Sequence, residues 1–154
     1  MKRRMVNFRW EDEDAQACFT EWCPFPGAQA SAQDVDRIEA LLGLVPPLDV
    51  LDVGCGTGRH AIEMARRGYR IVGIDVAKRY LEQAREAARK ARPAVEFRLQ
   101  RGSDVRGREL FDFALAYWHT IGSWPRRRST GTSLPSVRPS SRAAPFCTSS
   151  RAPG

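Results

Sequence analysis

The chain has 154 residues, the length of one ordinary domain and too few for two. Hydrophobic residues make up 42% and aromatic residues 9%, enough for a packed core and too many for a wholly disordered chain. The formal charge of +7 invites a polyanionic partner, but residues 1–125 hold 19 basic and 18 acidic side chains while residues 126–154 hold six Arg and no acid, so the body is nearly neutral.

In chain order, the acids of residues 11–14 lead into Ala15, Phe19 and Trp22, whose rough helical spacing predicts a first helix broken by residues 23–27. Ser31 then reads as the cap of a second helix, with Asp34 at the capping-box position. Val35, Ile38, Leu41 and Leu42 form its apolar stripe, and Gly43 ends it. Residues 48–53 are short, β-branched and nearly all apolar, as in a buried parallel strand. A helix over 59–67, a strand over 69–75, a helix over 77–91, a strand over 95–99 and a strand over 111–117 follow. Strands alternating with helices predict an α/β fold, a doubly wound, mostly parallel sheet in which four strands are recognisable, preceded by N-terminal helices.

No run approaches the ~18 apolar residues of a membrane helix. The basic start is not followed by a long apolar run, against a secretory signal. Cys18, Cys23, Cys55 and Cys147 lack metal-ligand spacing, so reduced thiols, no metal and a cytoplasmic location are expected.

The most informative residues are 51–59, Leu-Asp-Val-Gly-Cys-Gly-Thr-Gly-Arg. A strand runs into a glycine loop and a helix opens directly after it, the context a nucleotide-type loop needs. Gly54, Gly56 and Gly58 let a ligand approach the backbone, and free N–H groups at the helix start meet ligand oxygens. The spacing is G-x-G-x-G, whereas a dinucleotide loop has its third glycine one residue later, which counts against an NAD-dependent oxidoreductase. Asp52 suits a ligand with a cationic amine. Asp75 ends the second strand, where an acid can accept both ribose hydroxyls. Asp104 follows the third strand, within reach of an adenine amino group.

Together, residues 50–60, the acid at Asp75, Gly-Ser-Asp104 and the strand around Asp112 resemble the class I S-adenosylmethionine-dependent methyltransferases, in order and spacing, over residues ~47–121. The resemblance implies a Rossmann-like core with S-adenosyl-L-methionine as cofactor. It puts Asp52, Gly54, Gly56 and Gly58 at the methionine end, with Cys55 giving backbone contact. It puts Asp75 on the ribose with Val76 beside the adenine, Asp104 and Val105 along the adenine, and Tyr117 at the strand end that faces the sulfonium. It makes residues 1–46 an N-terminal helical cap and 47–124 the cofactor core, while residues 125–154, rich in Ser and Pro with no acid and no periodicity, read as a disordered tail. The implied reaction is methyl transfer, in which the protein mainly aligns acceptor and methyl group.

His119, at the carboxyl edge of the sheet, reads as a general base or as an exposed loop histidine, the plainer reading preferred. Trp118, Trp22 and Trp10 read equally as walls of an acceptor pocket and as core residues. His60 reads as a packing or hydrogen-bonding residue, and the basic helix ends at Arg66–Arg67 and residues 89–92 as solvated faces. A small-molecule acceptor is expected, with no membrane partner. The near-neutral body argues against nucleic acid.

After Gly122 the sequence departs from the family, which continues with an acidic helix, a Leu-(Lys/Arg)-Pro-Gly-Gly turn and a fifth apolar strand. Read one base earlier, codons 130–133 permit Asp-Arg-Asp-Val, and codons 136–147 permit Glu-Arg-Ala-Ala-Leu-Lys-Pro-Gly-Gly-Ala-Phe-Leu. The last Leu is forced, because Phe codons end in a pyrimidine and Cys codons begin TG. The expectation is a frameshift between about residues 122 and 129, preferred over a genuine Arg/Ser/Pro tail for RNA or acidic partners. Such a truncated chain would be poorly stable and would bind cofactor weakly. An inactive or binding-only remnant is the alternative function.

Overall fold

The computed structural model describes residues 10–14, 16–17, 27–106 and 110–117. The elements are α1 (Ala28–Leu42), β1 (Asp49–Val53), α2 (Arg59–Arg66), β2 (Arg70–Asp75), α3 (Lys78–Ala91), β3 (Val95–Leu99), a short 3-10 turn (Gly102–Asp104) and β4 (Phe113–Leu115). The strands form one parallel sheet in the order β3-β2-β1-β4. The chain steps outward from β1 through β2 to β3, then returns to the other side of β1. This reversal opens the crevice at the carboxyl ends of β1 and β4, where sheets of this kind bind ligands. The fold is the expected Rossmann-like one.

β1 is buried on both sides because its successive side chains point to opposite faces. Val50 joins the larger core with Val35 and Ile38 of α1, Ala61, Ile62 and Met64 of α2, and Leu81, Ala84 and Ala88 of α3. Leu51 and Val53 join Ile74 on the opposite face, with Val72, Val105, Phe111 and Ala114 packed against them.

Several sequence expectations are corrected. α1 begins one turn earlier than a Ser31 cap allows: Gly27 is the capping residue, in extended conformation. Ala28, Gln29 and Ala30 are good helix formers and extend the helix backwards. Ser31 lies inside it, its Oγ donating to the Gly27 carbonyl at 3.2 Å. Asp34 is therefore free of capping. Leu41 is 82% exposed, because it falls off the stripe that Val35, Ile38 and Leu42 share at helical spacing. Gly43 does end α1 in the left-handed conformation, φ 62°.

Arg67 is not a solvated helix end. Its Nη1 donates to Asp36 and Glu39, both at 2.7 Å, its Nε to Glu63 at 3.0 Å and its Nη2 to the Ala32 carbonyl at 3.0 Å. Tyr69 adds its hydroxyl to Glu39 at 3.1 Å. The whole set clamps α1 to α2. β4 is shorter than the seven-residue strand read from the sequence, since only Phe113–Leu115 pairs with β1. Residues 13–14 and 16–17 are helical, and Asp12 Oδ1 accepts the Asp14 N–H at 3.0 Å at their start. Tyr80 of α3 donates its hydroxyl to the Gln16 carbonyl at 2.9 Å, which docks this segment on the core.

Expectations for Cys18, Trp22, Cys23, Trp118, His119, Cys147, the helix end beyond residue 17 and the tail 125–154 lie outside the described residues.

Candidate functional site

The loop between β1 and α2 is a tight cradle. Gly54, Gly56 and Gly58 all have positive φ, at 71°, 55° and 75°. At Gly58 a side chain is also excluded by space: a Cβ there would sit 2.7 Å from the Phe97 ring and 3.0 Å from the Ala84 Cβ. Backbone bonds clasp the loop to β2, with the N–H groups of Gly54 and Cys55 both donating to the Ile74 carbonyl, at 2.8 and 3.0 Å. The Gly58 N–H returns to the Cys55 carbonyl at 2.9 Å, so the turn is closed before α2 starts.

Two carboxylates frame the cradle. Asp75, at the end of β2, accepts the Gly56 N–H on Oδ2 and the Ala77 N–H on Oδ1, both at 2.8 Å. Burial holds its carboxyl above the ordinary range against these bonds. A carboxylate offers about four lone-pair sites, more than these backbone donors occupy, so acceptor capacity remains for a ligand. Asp52, near the end of β1, is 3% exposed, and its Oδ2 has no hydrogen-bond partner among the described residues. Burial pushes its carboxyl up to about 7, the Asp75 charge adds to this, and the Arg59 guanidinium opposes it. A buried acid without a partner is costly unless something else meets it.

Cys55 is buried, and burial with the nearby carboxylates pushes its thiol well above the usual range, so it is not an activated nucleophile. Its sulfur is 3.0 Å from where a Cβ on Gly73 would be, which makes it a packing residue of the loop. Val76 is half-buried directly after Asp75. Asp104 is exposed in the 3-10 turn after β3, its Oδ1 accepting the Ser103 hydroxyl at 3.2 Å. Val105 packs against Leu51, Val53 and Ile74.

Tyr117, beyond β4, is brought to the start of α2. Its ring meets the His60 ring edge-on at 4.5 Å, and the Arg59 guanidinium lies 5.7 Å from its centroid. His60 is buried, as expected of a packing or hydrogen-bonding residue, with Nε2 3.3 Å from Asp34 Oδ2. Burial lowers its basicity, the neighbouring Arg59 charge adds to that, and the ring is neutral at pH 7. Arg59 Nη1 donates to the same Asp34 oxygen at 2.8 Å. This Asp34–Arg59–His60 junction was not legible in the sequence as a contact, because it depends on where α1 docks. One cue was present: two polar residues follow the last glycine of the loop, where a helix start would bury them.

This arrangement is a ligand cradle of the nucleotide-binding α/β class. The residues fit a ligand carrying a cationic amine and a ribose: a buried carboxylate with an unpartnered oxygen, a loop with three positive-φ glycines, and an acid at the next strand end. The family model of the methyltransferase domain matches residues 50–132, more than half of the chain. The chain belongs to this family of class I S-adenosylmethionine-dependent methyltransferase domains. Among curated relatives it is similar to the S-adenosyl-L-methionine-dependent Diels-Alderase iccD of Talaromyces variabilis, 34% identical over 70 residues, 46% of this chain and 24% of that protein. It is 44% identical over 74 residues to the ubiquinone biosynthesis O-methyltransferase of Leptothrix cholodnii, 47% of this chain and 32% of that protein. It is 41% identical over 56 residues to the tRNA 5-carboxymethoxyuridine methyltransferase of Escherichia coli, 36% of this chain and 21% of that protein. The matched stretch thus spans about a fifth to a third of these relatives. The solved magnesium protoporphyrin IX methyltransferase of Synechocystis, crystallised with bound SAH, shares the fold at a TM-score of 0.55 and 21% identity, covering 70% of this chain and 54% of that one. No described helix is long and apolar enough to cross a membrane.

Proposed function

We propose that this chain carries the cofactor-binding part of an S-adenosyl-L-methionine-dependent methyltransferase acting on a small-molecule acceptor. The observation that carries this reading is Asp52, a buried carboxylate with an unpartnered oxygen under the glycine loop. In this reading Asp52 takes the ligand's ammonium, while Gly54, Cys55, Gly56 and Gly58 present backbone to the methionine end. Asp75 uses its remaining acceptor capacity for the ribose hydroxyls. Val76 and Val105 flank the adenine, with Asp104 at its edge. Tyr117 lies where the crevice opens between β1 and β4. The bound cofactor supplies a methyl group already activated on a sulfonium. What the protein adds is alignment and exclusion of water. Trp118, Trp22 and His119 are proposed for the acceptor side, with His119 able to take a proton from an acceptor that carries one.

The nearly neutral charge of residues 1–125 supports a small-molecule acceptor over RNA. We further infer that the reading frame shifts between about residues 122 and 129. Residues 125–154 would then be an out-of-frame translation, and the chain a weakened or inactive form. A second reading is a chain that binds the cofactor without transferring methyl groups. The similarity to a Diels-Alderase, whose named reaction is not a methyl transfer, favours keeping it.

Isothermal titration of the purified chain with S-adenosylhomocysteine, beside NADH as control, tests cofactor choice. Heat with the first and none with the second is expected, and the reverse defeats the reading. Radiolabelled methyl transfer to pooled small molecules and to tRNA then separates small-molecule transferase, RNA transferase and binding-only protein.

A further inference from the structure

Asp52 and Arg59 are opposite charges seven residues apart, joined by a turn that folds back on itself. Two such groups at a partly buried site ordinarily pair. Here Asp52 precedes the glycine loop and Arg59 follows it, yet the Arg59 guanidinium donates to Asp34 of α1 at 2.8 Å and Asp52 Oδ2 has no partner among the described residues; the Arg59 charge still opposes the upward shift of the Asp52 carboxyl. The Arg59 side chain is held from several sides. Asp34 Oδ2 takes its Nη1, Ser31 Oγ lies 3.5 Å from the same nitrogen, and the Tyr117 ring is 5.7 Å from the guanidinium. The same Asp34 oxygen also holds His60 at 3.3 Å, so one carboxylate fixes the first two residues of the helix that follows the glycine loop. Asp34 and Arg59 are 15% and 14% exposed, sheltered enough for the pair to persist in salt.

We propose that Asp34 is a positioning residue that holds the Arg59 guanidinium off Asp52, keeping the Asp52 carboxylate open for the cationic group of a ligand. The docking of α1 is then an electrostatic requirement of the site. Without it, the arginine pairs internally with the acid that the ligand needs. This rests on the reading of Asp52 as the ammonium partner for the ligand arm of the test, and on geometry alone for the rest. Among the described residues, the charged and titratable groups acting on Asp52 are Asp75, Arg59 and the Cys55 thiol.

The test uses the full chain and two readouts. The titration of the Asp52 carboxyl is followed by carbon NMR in unliganded protein, and S-adenosylhomocysteine affinity is measured by calorimetry. Asp34→Ala is expected to lower the Asp52 midpoint by at least one pH unit and to weaken S-adenosylhomocysteine binding at least tenfold. Adding Arg59→Gln to Asp34→Ala is expected to bring the Asp52 midpoint back up to or above its original value and to recover most of the lost binding, measured above that midpoint. A purely structural role for Asp34 would not give this reversal, since the double variant removes more of the α1–α2 contact. If Asp34→Ala does not fold, Asp34→Asn keeps the shape, removes the charge and moves both readouts in the same direction. An unmoved Asp52 midpoint, or a binding loss that Arg59→Gln does not reverse, overturns the proposal. If S-adenosylhomocysteine does not bind the unaltered chain, the cofactor reading fails, while the Asp52 midpoints still decide whether Asp34 restrains Arg59.

Discussion

Asp52 is a carboxyl group in a place that water barely reaches, and its acidity is a statement about stability. Its folded value of about 7 lies above the ordinary 3.8, because burial and the Asp75 charge disfavour the anion. The native chain therefore binds a proton that the unfolded chain has lost between about pH 4 and 7. The Asp52 contribution to stability falls as pH rises through that window and is flat above it. Asp52→Asn removes the charge that burial penalises. The variant is expected to be more stable at pH 8 by about 2–4 kcal/mol, with the gain fading toward pH 4. Urea unfolding of both proteins at pH 4, 6 and 8 checks this, and a gain that does not change with pH would contradict it. The same substitution is expected to weaken S-adenosylhomocysteine binding at least tenfold, and binding by the unaltered chain should strengthen as pH rises toward 8. Gly58 bears the opposite kind of constraint. Ala at φ 75° is strained, and its Cβ would press into the Phe97 ring at 2.7 Å. Gly58→Ala should therefore cost about 1–3 kcal/mol and displace the loop, read as a lower melting temperature and lost ligand binding. The three glycines and two acids of this site were legible in the sequence because their spacing is local. Phe97, which walls the loop from another strand, was not.

At the scale of elements, two neighbouring arginines look alike in the sequence and behave differently in the fold. One residue is about 100° of helix rotation, which turns Arg67 toward α1 and leaves Arg66 46% exposed. Arg67 gathers Asp36, Glu39 and Glu63 around one guanidinium, with its own side chain 21% exposed. Networks of this kind hold more than isolated surface pairs do. Arg67→Met is expected to destabilise by about 1–2 kcal/mol, with part of that difference lost in 1 M salt, while Arg66→Met stays within about 0.5 kcal/mol. Chemical denaturation of the two variants at low and high salt checks the contrast. Equal effects would mean that the clamp does not hold α1. The sequence predicted each strand and helix to within a residue or two wherever a glycine, a proline or a β-branched run marked the boundary. It misplaced the start of α1, where Ser31 is the stronger capping residue by type but Gly27 caps the helix one turn earlier, and it overextended β4. Continuous apolar sequence from residue 111 to 117 records burial, but strand pairing depends on the neighbour: β1 offers Val50, Leu51 and Asp52 opposite Phe113, Ala114 and Leu115.

For the molecule as a whole, β4 is the last strand in the order β3-β2-β1-β4 among the described residues, with β1 its hydrogen-bonded neighbour. A parallel strand at a sheet edge offers a row of backbone donors and acceptors to any other chain. The charge pattern bears on the same region. The sequence changes from a balanced body to six arginines without an acid at residue 126. The codons of residues 136–147 permit, one base earlier, the helix, the Pro-Gly-Gly turn and the start of the next apolar strand that a sheet of this family continues with. Under the proposed frame shift, the net charge of +7 describes a change of reading frame and not a polyanion-binding surface. The prediction has two arms. The coding DNA should read without a stop, in that earlier frame, through further apolar strands. A gene with one base added between codons 122 and 129 should give a chain that melts at least 10 °C higher and binds S-adenosylhomocysteine at least tenfold more tightly, because the continued sheet covers the β4 edge and completes the far side of the crevice. An early stop in the shifted frame would defeat the proposal outright. So would a frame-restored chain that is no more stable than the present one, and the basic tail would then be a segment in its own right, to be tested against RNA by the salt dependence of binding.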